Sequence, residues 1–310
     1  MLPVRDGVGA SQVGLPEGPW ASMLDFLVQR FPAIPAAQWR ERMAHGDVVD
    51  DAGRTVTPDQ AYAAHGKLYY YRTVPDEAPN AAQASVLFED ELLVVADKPH
   101  FLPVTPSGNY LQETLLVRLR RQLGIDALTP LHRLDRETAG VVLLAKQPAT
   151  CEPYHQLFFN RGMAKTYEAI AASPDGTALR FPLTRVSALV EADHFMQMRE
   201  ASGVDAGASQ AHTEIEWIET QGAHARYRLR PLTGRRHQLR VHMAALGLPI
   251  LGDRIYPRLL PQGGDDLGNP LRLLAQSISF CDPITGQSRS FSSRLQLHFP
   301  EPATPHVVLR

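Results

Sequence analysis

Cysteine is scarce in this chain of 310 residues: Cys151 and Cys281 are its two examples. Two are too few for a disulfide framework or a cysteine-built zinc site. Apolar stretches such as Ala139 to Ala145 fall far short of the ~20 residues that span a bilayer. No basic start followed by an apolar stretch opens the chain, so neither a secretory leader nor a membrane segment is expected, and the cytoplasm is the expected address. Lysine is rare too, with four residues against 27 arginines, a ratio that a GC-rich genome produces by itself. No H-E-x-x-H, G-x-G-x-x-G, P-loop or G-x-S-x-G motif occurs, which removes the common zinc-protease, nucleotide-binding, phosphoryl-transfer and serine-hydrolase readings. His237 and His242 are five residues apart and do not share a helix face, and His224 adds no acidic partner. Neither a metal nor a cofactor is expected.

What is present is a globular composition, 44% hydrophobic and 21% charged, which argues against wholesale disorder. The length suits one large domain and one small one. A net charge of −2 gives no sign of a nucleic-acid partner, but the distribution of charge does. Residues 226–258 hold eight arginines and a single acid, Asp253, whereas residues 1–80 hold seven basic and ten acidic side chains. Such a local excess suits an anion-binding surface.

Residues 1–19, rich in Gly and Pro, read as a flexible tail. A small α+β module is expected over 20–75, with helices near Leu24–Phe31 and Ala36–Ala44, and 76–84 reads as a linker. The main domain is then 85–310. Strands are expected at Val86–Glu89, Leu92–Asp97, Val141–Ala145, Tyr167–Ala171, Thr213–Ile218 and Ala225–Pro231. Leu111, Leu115, Leu119 and Leu123 mark a helix ending at Gly124, and a second helix is expected from Arg235 to Leu246. Strands and helices without regular alternation give an α+β class with a mixed, mainly antiparallel sheet.

Two segments carry candidate chemistry. The first is His132-Arg133-Leu134-Asp135-Arg136-Glu137-Thr138-Ala139-Gly140, just ahead of the apolar strand. A carboxylate between two arginines suits a nucleophile or general base and not a general acid. An ordinary turn with Asp135 capping backbone amides fits the same spacing. The second is Thr233-Gly-Arg235-Arg236-His237-Gln238-Leu239-Arg240-Val-His242. Thr233 is placed to cap a helix whose first turn carries two arginines, a start that suits phosphate. Arg236 and Arg240 then share a face, with Arg240 placed to turn inward onto a carboxylate. A solvated basic face fits as well.

The first segment resembles the H-R-L-D-x-x-T-S-G signature of RluA-type pseudouridine synthases. Three further segments resemble that family's motifs in order: Asp97-Lys-Pro-His-Phe-Leu-Pro-Val, Lys165-Thr-Tyr167-Glu-Ala169, and Thr233 to His242 followed by Gly247-Leu-Pro-Ile-Leu-Gly-Asp253-Arg-Ile-Tyr256. Together they cover about residues 84–295. The sequence departs from the pattern at Ala139 for Ser, at His100 for Gly, and at Leu274-Ala-Gln276 for L-H-A. The module at 20–75 resembles, less closely, the small RNA-binding domain shared with ribosomal protein S4.

The resemblance implies a cofactor-free and metal-free enzyme that isomerises uridine to pseudouridine in structured ribosomal or transfer RNA; a monomer with no membrane partner is expected. By residue, it implies Asp135 as the catalytic carboxylate, Tyr167 as a platform for the target base, and Arg240 as the partner that positions Asp135. It implies Arg133, Arg235, Arg236, His237 and Gln238 as RNA contacts. A non-catalytic RNA-binding protein of the same fold is the alternative. A carboxylate glycosidase using Asp135 and Glu137 is a third reading, which leaves the four ordered motifs unexplained.

Overall fold

The computed structural model describes residues 3–74, 77–202, 207–261, 263 and 265–301. The first two residues of the expected tail, Asp76 of the expected linker, and residues 302–310 of the expected main domain lie outside the described residues. The chain divides into two compact units, one formed by residues 1–79 and 106–126, the other by 80–105 and 127–310.

In the first unit, α1 (Met23–Arg30) starts at Ser22, whose hydroxyl accepts the Asp25 N–H while the Asp25 carboxylate accepts the Ser22 N–H at 3.0 Å. This reciprocal cap satisfies two donors that a helix start leaves open. A second helix, α2 (Ala36–Ala44), follows. Strands β1 (Ser11–Gly14), β2 (Val48–Val49) and β3 (Lys67–Tyr70) form an antiparallel sheet in the order β1-β3-β2. Phe26, Leu27, Trp39 and Leu68 fill the core between helices and sheet.

Two sequence expectations change here. Residues 11–14 of the expected tail are an edge strand, because Val13 buries its side chain in the core and its backbone pairs with Leu68. The leucine-striped helix, α3 (Leu115–Leu123), belongs to this unit and not to the larger one. Val117 packs with Val8, Leu111 and Val74, and Arg120 and Arg121 donate to the carbonyls of Gly7 and Asp6. Thr114 caps its start, and Gly124 ends it in the left-handed conformation at φ 67°.

The second unit is built on an eleven-stranded sheet. Its strands are β4 (Ser85–Glu89), β5 (Leu93–Lys98), β6 (Thr129–Pro130), β7 (Ala139–Ala145), β8 (Ala164–Ala172), β9 (Leu183–Glu191), β10 (Met198–Glu200), β11 (Ser209–Gln221), β12 (His224–Pro231), β13 (Leu273–Cys281) and β14 (Ser288–Ser292). They run in the order β10-β9-β11-β12-β8-β13-β7-β5-β4, with β14 on β13 and β6 on β7. The pairs are antiparallel except β7 with β13, so the class is α+β with a mixed, mainly antiparallel sheet.

Every residue of β7 is buried, as expected of a strand covered on both faces. Gly140 is required where β7 meets β13: its φ is 118°, and a Cβ there would stand 2.2 Å from the Ala275 carbonyl oxygen. Helix α4 (Pro148–Phe159) connects β7 to β8, and α5 (Gln238–Ala245) follows β12.

Leu239 and Met243 of α5 pack with Ala169 and Ala171 of β8 and Tyr227 and Leu229 of β12. Side chains alternate along a strand, so Arg226, Arg228 and Arg230 stand on the opposite face of the sheet from α5. There Arg226 pairs with Glu168 at 3.0 Å and Glu219 at 2.7 Å, Arg228 with Glu216 at 3.0 Å, and Arg230 with Glu216 at 3.3 Å. Three of the eight arginines that form the sequence cluster are therefore committed to glutamates on the far face.

Candidate active site

Asp135 lies in the turn between β6 and β7, where the Thr138 N–H donates to its carbonyl oxygen at 3.1 Å. Its side chain keeps 30% exposure. One oxygen, Oδ2, accepts from Arg240 Nη1 at 3.2 Å. The other, Oδ1, faces His237 Nε2 at 3.8 Å, beyond hydrogen-bond length, and is open to a reacting group.

Arg240 is itself immobilised. Its side chain is 2% exposed, and its Nε and Nη2 donate to the two Asp253 oxygens at 2.8 and 2.7 Å, the fork geometry that only Arg supplies. Asp253 Oδ1 also accepts the Ile255 and Tyr256 N–H groups at 2.8 and 3.0 Å. Burial alone would lower the guanidinium pKa, but the Asp253 bonds and the charges of Asp253, Asp135 and Glu137 outweigh it and raise it. Arg240 is thus a permanent cation with one donor aimed at Asp135.

The rest of the turn is tied from below. Lys98, fully buried at the end of β5, donates to the carbonyls of Pro99, Leu102 and Arg136 at 3.0, 2.8 and 3.1 Å. Burial lowers its pKa to about 7, against the charges of Glu137 and Asp135, which raise it. His100 Nδ1 lies 2.6 Å from the Glu137 carbonyl, so the ring that replaces the family's glycine binds this same turn. His132 points into the core and accepts the Leu143 N–H at 3.0 Å. Burial, with the Lys165 charge, holds it neutral with a pKa of about 3.

Tyr167 stands on β8, opposite Leu229 on β12 and Ala275 on β13. Burial and then the nearby Asp135 charge raise the pKa of its phenol, so it stays a neutral aromatic face next to the carboxylate. His237 adopts φ 54° at the start of α5 and bonds Tyr256 through Nδ1 at 2.9 Å. The Tyr256 hydroxyl accepts the Met198 N–H at 2.7 Å. Burial lowers the His237 pKa, with Asp135 acting the other way and Arg240 reinforcing the burial.

The structure brings Asp135, Arg240, Tyr167 and His237 together and separates the other expected contacts. Arg133 is exposed and makes no hydrogen bond or ion pair among the described residues. Arg235 and Arg236 are exposed, with Nε of Arg235 on the Gln210 carbonyl at 3.0 Å and Nη2 of Arg236 on the Phe195 carbonyl at 2.7 Å. Gln238 differs from expectation: it is buried, and its amide is saturated. Its oxygen accepts from Thr233 Oγ1 at 2.7 Å and the Arg235 N–H at 3.1 Å, and its nitrogen donates to the His212 carbonyl and Thr213 Oγ1. It shapes the loop and has no group left for RNA.

The helix also starts at Gln238 and not at Arg235, because Thr233 is used by Gln238 and the His212 N–H. Arg235 and Arg236 therefore precede the helix, and the capped phosphate site expected there does not form. Sequence reasoning did not assign roles to Asp253, Lys98 or Tyr256. A lone acid, Asp253, among eight arginines was the available signal for the first. Among the described residues, no group of three or more His, Cys, Asp and Glu is placed to hold a metal ion, and no helix is long and apolar enough to cross a membrane.

A family model described as RNA pseudouridylate synthase matches residues 92–245. The chain is 32% identical over 242 residues to an uncharacterised RNA pseudouridine synthase of Synechocystis, spanning 76% of this chain and 79% of the relative. It is 31% identical to ribosomal large subunit pseudouridine synthase D of Pseudomonas aeruginosa over 70% of each chain. With tRNA pseudouridine synthase C of Vibrio cholerae it shares 34% identity over 65% of this chain and 87% of that one.

Proposed function

The chain belongs to the RNA pseudouridylate synthase family, as an enzyme that isomerises uridine in RNA, and from that premise we propose how its residues do so. The RNA is structured, ribosomal or transfer. The target uridine leaves the stack, at a cost of a few kcal/mol, and its base lies against Tyr167. Asp135 is the catalytic carboxylate. The observation that carries this reading is the pairing of one Asp135 oxygen with a locked, buried Arg240 while the other oxygen stays open.

Isomerisation breaks the bond from C1′ to N1 and forms one from C1′ to C5, with a proton lost from C5 and one gained at N1. Cleavage needs a carboxylate held in one orientation. Arg240 holds it, and Asp253 keeps Arg240 from following the substrate. Attack at C1′, addition at C6 and removal of a sugar proton all use the same open oxygen. The half-buried turn, closed beneath by Lys98 and His100, limits water near the released uracil.

Phosphate contacts come from Arg133, Arg235 and Arg236, the exposed cations around the site, and position the strand without reading sequence. The small unit, with two helices leading into a short antiparallel sheet, supports an S4-like module that adds to RNA contact.

The test uses RNA tritiated at uracil C5, from a strain lacking the gene. Release of tritium to water by the wild type and not by Asp135→Asn, with RNA affinity kept, is the expected result. Tight binding without release by the wild type would make the chain a binding protein of this fold.

A further inference from the structure

One hairpin of the second unit presents an aromatic pair that the catalytic reading does not use. Residues 192–197 join β9 to β10. At their tip the Phe195 ring is 71% exposed, and the exposed His194 ring stacks on it with 5.0 Å between centroids and 28° between planes. A single exposed apolar side chain needs no explanation by itself. This one is set apart by how the backbone beneath it is held and by the charges beside it.

The hairpin closes through the Ala192 N–H on the Gln197 carbonyl at 3.0 Å and the Gln197 N–H on the His194 carbonyl at 2.8 Å. The residues after Phe195 are turned inward. Met196 and Met198 pack on Leu189, Val241 and Tyr256, and Gln197 Nε2 donates to the Ile255 carbonyl at 2.9 Å. The Met198 N–H donates to the Tyr256 hydroxyl at 2.7 Å, that hydroxyl meets His237 Nδ1 at 2.9 Å, and His237 Nε2 faces Asp135. A short run of contacts thus ties the hairpin to the catalytic carboxylate. Folding uses the neighbours of Phe195 and leaves its ring outside. An aromatic on a fixed backbone has little freedom to lose when a flat partner arrives.

The charges select the partner. Arg236 Nη2 donates to the Phe195 carbonyl at 2.7 Å, so an exposed cation stands at the foot of the tip. The hairpin itself carries acid: Asp193 is exposed, and Glu191, also exposed, lies 3.6 Å from Arg236. Acid there repels phosphate from the tip and leaves the ring faces to an uncharged group. A strand with its phosphates on Arg235 and Arg236 brings such a group beside Phe195, its base, and every base has a face that stacks on an aromatic ring. We propose that His194 and Phe195 form a stacking platform for an unpaired nucleobase of the RNA strand, outside the target uridine. It rests on the reading that Tyr167 and Asp135 take the target itself. The platform favours substrates in which the uridine lies within a loop or another unpaired segment.

The test measures binding of RNA from a strain lacking the gene, by filter retention over a salt series. Wild type is compared with Phe195→Ala, Phe195→Leu, Phe195→Trp and Arg236→Ala. Losing one stacked base in Phe195→Ala is expected to weaken affinity about tenfold. The slope against salt should stay that of the wild type, because no phosphate contact is lost. Phe195→Trp should restore affinity, and Phe195→Leu, apolar but without an aromatic face, should not. Phe195→Trp also adds an emission to those of the three native tryptophans; RNA should quench it, and an abasic ribose-phosphate strand should not. The ring is exposed, so urea midpoints of the three Phe195 variants are expected to match the wild type.

Wild-type affinity in Phe195→Ala, or full affinity in Phe195→Leu, would overturn the proposal. So would a loss in Phe195→Ala that comes with the reduced salt slope of Arg236→Ala, since the ring would then only position that arginine. Binding is read apart from turnover: a wild type that stacks RNA on Phe195 but releases no tritium has lost the isomerase reading and kept the platform.

Discussion

Removing the charge of Arg240 with Arg240→Met leaves Asp253, whose side chain is fully buried, with a carboxylate facing only the Ile255 and Tyr256 N–H groups. Stranding one partner of a buried ion pair costs about 3–5 kcal/mol. At about 2–4 °C per kcal/mol for a unit of this size, Tm falls by about 6–20 °C. The reverse change, Asp253→Asn, is milder. Its remaining amide oxygen still accepts from the backbone, and Arg240 keeps Asp135 at 3.2 Å and Glu137 at 3.9 Å, so about 2 kcal/mol is expected. The double variant removes both charges, and its loss should be smaller than the sum of the single losses by about 2 kcal/mol. Urea unfolding with a constant slope measures all four proteins. A further consequence concerns turnover: Asp253→Asn frees Arg240 to move, so kcat for tritium release should fall about tenfold with RNA affinity kept. Strictly additive losses, or an Asp253→Asn enzyme with wild-type kcat, would refute the view that Asp253 fixes the orientation of Asp135 through Arg240.

Stability should fall on acidification above the carboxylate range. The pKa values of His132 and His242 are lowered by burial to about 3 and about 4, so below pH 6.5 the unfolded chain takes up protons that the native one does not. The contribution of these two histidines is complete above that pH and declines by about 1.4 kcal/mol per unit for each histidine as pH drops toward 4. Urea midpoints at pH 7 and 5.5 check this, and His132→Gln should flatten the decline; equal midpoints in the wild type would contradict it. Gly140→Ala should lower the unfolding free energy read by urea titration by several kcal/mol or abolish soluble protein, since its Cβ would meet the Ala275 carbonyl at 2.2 Å. Affinity for RNA should weaken as salt rises, with a slope reduced by about 0.7 in Arg235→Ala or Arg236→Ala and unchanged in Arg228→Ala. A slope that responds to Arg228 would put the RNA on the wrong face. Gln238→Ala should lower the melting temperature, because it removes four buried hydrogen-bonding partners; a normal melt with weaker RNA binding would return Gln238 to the contact surface.

Periodicity and local chemistry account for which elements were legible. The helix at Ala36–Ala44 and the strands near Leu93 and Ala139 follow from runs that match one period and from clear stops. Strands β9 and β14 went unpredicted because half-exposed strands such as Leu183–Glu191 mix apolar and polar residues without strict alternation, and β13, central between β8 and β7, is interrupted by Gln276, Ser277 and Ser279. The span 182–212, in which the sequence pattern marks no strand, contains β9, β10 and the start of β11. Helix α4 was hidden by Pro148 and Pro153, which suggest a break where Pro148 in fact occupies the first turn. Within the site, Asp135, Tyr167 and Arg240 were legible through four ordered motifs. The positions of Lys98, His100 and Asp253 depend on which carbonyls and amides the fold brings near, and that is information of the tertiary structure alone.

Charge sorting by strand alternation resolves the apparent conflict between a chain of net charge −2 and an RNA substrate. Arg226, Arg228 and Arg230 alternate with Tyr227 and Leu229, so burying the aromatic and the leucine under α5 sends the arginines to the far face, where Glu168, Glu216 and Glu219 neutralise them. The irregular segment that follows has no such alternation. Arg235 and Arg236 stay in solvent with only backbone carbonyls and one distant glutamate, Glu191 at 3.6 Å, as partners. A phosphate arriving there needs to displace little, whereas at Arg228 it would have to replace a glutamate at 3.0 Å. Free cation, and not total cation, therefore sets where the strand can lie. Arg133, also exposed and uncommitted, lies two residues from Asp135, so the same segregation that balances the sheet leaves free cation beside the Asp135 turn.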